Sequence, residues 1–106
     1  MTDLILVRVN CPDRDTADLL SRKAIEARLA ACTNLSGPVT ASYVWEGRVE
    51  RDEEYVLVLK ARATAWAALR DLVRQHHPFD TPAILALPVI EAEPGYAAWL
   101  VDNTDP

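Results

Sequence analysis

Glycine is scarce in this chain: three in 106 residues, scattered along its length. A glycine-rich loop that could cradle phosphates through its backbone is therefore missing. Basic side chains are also few, eleven against sixteen aspartates and glutamates, for a formal charge of −5. A nucleic-acid partner would need basic groups to displace its counterions, and an anionic membrane surface would need them too, so the composition argues against both. Cations are the electrostatically favoured partners. No apolar run approaches the ~18 residues of a membrane span. The opening stretch "MTDLILVRVN" resembles neither a basic leader start nor a cleavable signal, which makes the cytoplasm the expected compartment. Two cysteines, Cys11 and Cys32, are expected there as thiols. Repeats, low-complexity tracts and linkers are lacking, so residues 1–106 are read as one domain with one core.

What is present is an ordinary globular balance, half apolar and a quarter charged, arranged in periodic segments. "LILVRV" (Leu4 to Val9) is a short β-rich run. Pro12, Asp13 and Asp15 open a helix, since proline suits the first turn and carboxylates favour a helix N-terminus. Ala17, Leu20, Ala24 and Ala27 follow at helical spacing, with Ser21, Arg22 and Glu26 turned outward. The next β-rich stretch is broken at Gly37-Pro38, where a bulge is expected, and Glu46-Gly47 is a hairpin turn. The charged run Glu50 to Glu54 reads as a solvated start to a third strand, "YVLVLK" at Tyr55–Lys60. Thr64 is placed to cap a second helix reaching Gln75, with Leu69, Leu72, Val73 and His76 on one stripe. "AILALPV" (Ala83 to Val89) is a fourth strand. Glu93-Pro94 starts a last helix, whose Tyr96, Trp99 and Leu100 should dock as a clasp.

The order β-α-β-β-α-β plus a terminal helix is an α+β, ferredoxin-like split βαβ arrangement, an antiparallel sheet with two helices on one face. Two helices cover one face only, and a wet second face should alternate apolar with polar residues. Tyr55–Leu59 and Ile84–Leu87 are apolar on both sides instead. Burial of the second face against other copies of the chain is expected.

Several segments together resemble the CutA family of divalent-cation tolerance proteins: "NCPD" at 10–13, "EARLAACTNL" at 26–35, "SYVWEG" at 42–47 and "HHPFDTPAILALPV" at 76–89. The resemblance runs almost end to end. It implies a cytoplasmic homotrimer of ferredoxin-like subunits with inward-facing sheets, similar in architecture to the PII signalling proteins. It also implies a link to copper or other divalent metal ions. The family's copper site uses a cysteine on the first strand with a histidine pair ending the second helix. By position the pair falls on His76 and His77, while the strand cysteine falls on Val9, which cannot ligate.

Topology brings Cys11 and the two histidines to one end of the domain and Cys32 to the other, so a disulfide between the cysteines is excluded. Cys11 precedes a helix N-terminus, where a thiolate is stabilised, and with an imidazole nearby it could ligate copper or zinc. The same histidines can equally end a helix, His76 meeting the last carbonyls and Pro78 forcing the chain away. Tyr43, Trp45 and Trp66 read as packing or subunit contacts, and Cys32 as a small core residue.

Three functions follow: a trimeric metal-responsive binding protein, a PII-like small-ligand sensor, and an enzyme such as an acyl-phosphate hydrolase. The third lacks an anion-cradling loop, because "NCPDRD" is proline-fixed and acidic; no catalysis is expected. RNA binding is disfavoured by the missing aromatic pattern in "YVLVLK".

Overall fold

A computed structural model describes residues 2–106. Four strands form one antiparallel sheet in the order β2-β3-β1-β4: β1 (Leu4–Cys11), β2 (Cys32–Trp45), β3 (Arg48–Arg62) and β4 (Ile84–Pro88). Helices α1 (Arg14–Glu26) and α2 (Trp66–His76) lie between strands, and α3 (Pro94–Asp102) follows β4. This is the expected split βαβ topology. β1 is central, pairing with β3 from Leu4↔Arg62 to Cys11↔Tyr55 and with β4 from Ile5↔Pro88 to Val9↔Ile84.

Strand alternation sends Val7, Val9, Leu57 and Leu59 to one face, where they meet Ala17, Leu20 and Ala24 of α1 and Leu69 and Val73 of α2 in a single buried cluster. Asp13 caps α1, its carboxylate accepting from the Thr16 backbone N–H at 2.7 Å, so the acidic start of this helix is as the sequence indicates. Ser21 does not face outward. It is half-buried, and its hydroxyl lies 2.6 Å from that of Thr33 on β2. The second helix begins later than expected and without Thr64: a 3₁₀ turn, Ala63–Ala65, leads into it, and no side chain caps it.

β2 runs through its bulge to the turn as expected, and β3 already begins at Arg48. The charged run Glu50–Glu54 lies within β3, and the two strands form an arm that stretches the molecule to 44 Å. The arm turns at Glu46 (φ 50°) and Gly47 (φ 78°), the paired left-handed geometry of a two-residue hairpin. The expected bulge occurs between Ser36 and Val39. Gly37 sits there at φ 144°, with the Tyr55 ring where a β-carbon would be.

The second sheet face is partly covered. α3 lies across its lower end, burying Leu100 against Leu4, with the Lys60 ammonium 5.5 Å from the Tyr96 ring centre. The clasp is made by Leu100, since Tyr96 and Trp99 stack on each other at 5.6 Å and stay accessible. Two arginines hold its far end: Arg62 donates to the carbonyls of Val101 and Thr104, and Arg28 to the Asp105 carboxylate and the Asp102 carbonyl. On the uncovered part, Leu85 and Leu87 remain 64% and 43% exposed.

Candidate functional site

The histidine pair lies where α2 meets the end of β1. The His77 N–H closes the last helical turn on Val73 O at 2.8 Å. Its ring, 6% exposed, is fastened at both nitrogens. The Phe79 N–H donates to Nδ1 at 3.1 Å, which leaves the proton on Nε2 to donate to the Asn10 carbonyl at 2.8 Å. The ring also packs against Phe79 at 5.1 Å. His77 thus latches α2 to β1 and has no lone pair free for a metal. Sequence reading put His76 in the helix-ending role; the structure gives it to His77. His76 is half-buried, and no hydrogen bond among the described residues ties its ring.

Cys11 shares the helix-covered side of β1 with Val7 and Val9 and is fully buried. Burial, followed by the nearby carboxylates of Asp13 and Glu54, pushes its thiol up to about 11. The expectation of an exposed, stabilised thiolate is therefore corrected. Alternation along β1 turns the side chain under the helices, and the helix N-terminus it precedes is already satisfied by Asp13. Cys32 is the more accessible thiol, and both are free. Cys11, His76 and His77 share one end of the domain without converging: among the described residues, no group of three or more His, Cys, Asp or Glu side chains could hold a metal ion.

At this end the structure assembles something that was not anticipated. The arm and residues 78–83 enclose an open cleft of about 760 Å³. Asn10 stands at its back, its backbone N–H on the Ala83 carbonyl and its side-chain amide donating to Glu54 Oε1 at 3.0 Å. Tyr43, Trp45 and Phe79 line it together with Glu54 and Asp80. The Tyr43 hydroxyl donates to the Asp52 carboxylate. That bond, followed by desolvation and the charges of Asp52, Glu50 and Glu54, pushes the phenol up to about 12. Trp66 is a packing residue, as expected; Tyr43 and Trp45 are exposed in the single subunit. Two quoted segments, "SYVWEG" and "HHPFDTPAILALPV", supply opposite walls of the cleft.

A family model described as CutA1 divalent ion tolerance protein matches residues 5–103. The chain belongs to the CutA1 family. Its CutA relatives include the mouse protein, 36% identical over 97 residues that make up 92% of this chain and 55% of that one. The divalent-cation tolerance protein CutA of Salmonella newport is 37% identical over 98 residues, 92% of this chain and 85% of that one. The chain spans about half the length of the mouse and human CutA proteins that it matches. Among solved CutA structures, that of Thermus thermophilus has a TM-score of 0.93 at 34% identity, covering 96% of this chain and 99% of that chain. The Xylella fastidiosa structure has a TM-score of 0.94 at 30% identity, covering 98% and 100%. A CutA structure from Archaeoglobus fulgidus, at 26% identity, a TM-score of 0.93 and coverage of 96% and 99%, is described as periplasmic. No helix among the described residues is long and apolar enough to cross a membrane.

Proposed function

We propose that this chain acts in divalent-cation tolerance as a cytoplasmic homotrimer that binds copper or another divalent ion and catalyses no reaction. The observation that carries this reading is the match of residues 5–103 to a family described by tolerance of divalent ions. Assembly is supported by Leu85 and Leu87, large apolar side chains left accessible on the sheet face that α3 does not reach. Two free cysteines suit a reducing compartment. The non-catalytic reading is supported at two of the three helix N-termini, where a carboxylate already stands in the place of an anionic substrate: Asp13 accepts the Thr16 N–H of α1, and Glu93 the Gly95 and Tyr96 N–H groups of α3.

The trio Cys11, His76 and His77 does not fit a metal as it stands in one chain. Cys11 keeps its proton, and His77 has both nitrogens engaged. In this reading His76 is the available imidazole, and the remaining ligands come from neighbouring copies in the assembly. Calorimetric titration of the purified protein with Cu²⁺ tests this, alongside His76→Ala, His77→Ala and Cys11→Ser, with circular dichroism checking each fold. Loss of binding in His76→Ala and retention in Cys11→Ser supports the reading. A parent protein that binds nothing above background rejects it. A PII-like sensing role without catalysis is the second reading, favoured by the cleft between the arm and residues 78–83.

A further inference from the structure

The sheet face read as buried between copies has a charge at its centre. Arg8 lies midway along β1, with Val58 of β3 on one side and Leu85 of β4 on the other. Its side chain is exposed in the single subunit. Among the described residues, the ion pairs are Arg22–Glu26, Arg28–Asp105 and Arg70–Asp71, so Arg8 faces no carboxylate of its own chain. Two other cations of this face are engaged, Lys60 by the Tyr96 ring and Arg62 by the Val101 and Thr104 carbonyls. Covering the face with nothing opposite Arg8 would strand a charge among aliphatic side chains, which is strongly unfavourable.

The same face supplies the opposite charge, out of reach within one chain. Glu50, Asp52 and Glu54 alternate onto it along the arm, across from Tyr43, Ala41 and Val39. None of the three is in an ion pair among the described residues. Glu54 is four residues beyond Val58, the register neighbour of Arg8, which is roughly 13 Å along the strand, and the other two are farther. The arm belongs to the sheet, so it cannot fold back over its own face. It can lie on the next copy. A contact in which one surface of each copy meets a different surface of its neighbour closes into a ring, and opposite charges on the two surfaces fix their register. Tyr43 and Trp45, exposed on this face of the arm, add rings against which a guanidinium can stack. We propose that Arg8 of each copy receives the arm of the next, its guanidinium paired with one of that arm's carboxylates, from Glu50, Asp52 or Glu54. This rests on the trimer reading and names what sets the register of its subunits.

Charge reversal tests the pairing, because each copy carries both halves of the contact. The measured quantity is the subunit concentration at which half the trimers dissociate in a fixed, sub-denaturing urea concentration, followed by light scattering. Circular dichroism checks that each variant stays folded. Arg8→Glu sets like charges against each other and should raise that concentration about tenfold or more. A second reversal in the same chain, Glu50→Lys, Asp52→Lys or Glu54→Lys, should bring it back towards the parent value for at least one of the three. An ion pair within one chain would survive dissociation and would not move this concentration. Parent-like association of Arg8→Glu would overturn the proposal by leaving Arg8 in water at the rim of the assembly. Failure of all three second reversals would overturn it as well, by placing the partner of Arg8 outside the arm. A parent protein that scatters as a monomer rejects the trimer reading and this inference with it. A trimeric parent indifferent to Arg8 rejects this inference alone.

Discussion

Two adjacent histidines have opposite duties here, and substitution separates them. His77→Ala leaves the Asn10 carbonyl and the Phe79 N–H without partners in a poorly hydrated seam. It should lower unfolding free energy by about 2–3 kcal/mol in urea denaturation, whereas His76→Ala should cost less than about 1 kcal/mol. The thiols are ordered in the same way. With alkylation followed by mass spectrometry in the native state, Cys32 should be modified while Cys11 stays protected until the protein unfolds. The raised Cys11 value has a signed consequence. The folded state keeps this proton above the thiol's ordinary 9.0 and up to about 11, so within that window the unfolded state holds fewer protons. Stability should fall there by up to ~1.4 kcal/mol per pH unit, and Cys11→Ala should flatten the profile. Sequence reading located this end of the domain because topology alone gathers residues 10–11 and 76–77. It could not see that alternation turns Cys11 inward, nor that Phe79 and Asn10 claim both nitrogens of His77. Those are matters of side-chain direction and not of spacing.

Elements were most legible where local chemistry names them. Asp13 before α1, Glu93-Pro94 before α3 and Glu46-Gly47 at the arm's turn are each what the structure uses. The acidic run 50–54 is the largely exposed start of the third strand, as read, and β2 pairs with it rung by rung, from Val39↔Glu54 to Tyr43↔Glu50. One boundary failed. Thr64 was a reasonable cap, displaced by the 3₁₀ turn that carries the chain off β3. The bulge is the most demanding joint. Gly37→Ala would set a β-carbon 2.6 Å from the Tyr55 ring and 3.0 Å from the Glu54 carbonyl, at a backbone angle that non-glycine residues avoid. We expect a loss of about 1–3 kcal/mol, read as a lowered melting temperature. Disturbance of the adjacent Glu54 should accompany it.

For the whole molecule, the uncovered sheet face separates folding from assembly. Leu57 lies in the core, so a charge there would unfold the chain. Leu85 is largely accessible in the single subunit. Leu85→Asp should therefore leave circular dichroism intact while light scattering falls from about three subunit masses to one; a parent that scatters as a monomer would reject the proposed trimer. That a face would need covering was legible from "YVLVLK" and "AILALPV", which are apolar on both sides. That α3 would cover part of it was not, because its attachment depends on Arg28 and Arg62, which reach across the fold to backbone carbonyls. The strand order carries one more consequence, for synthesis. β1 sits between β3 and β4, so the strand that emerges early has no partner until the chain has grown past Arg62, and its second edge stays open until Pro88. On the ribosome only the β2–β3 hairpin can close locally. The sheet as a whole is completed late, with β1 waiting for partners some fifty to eighty residues downstream.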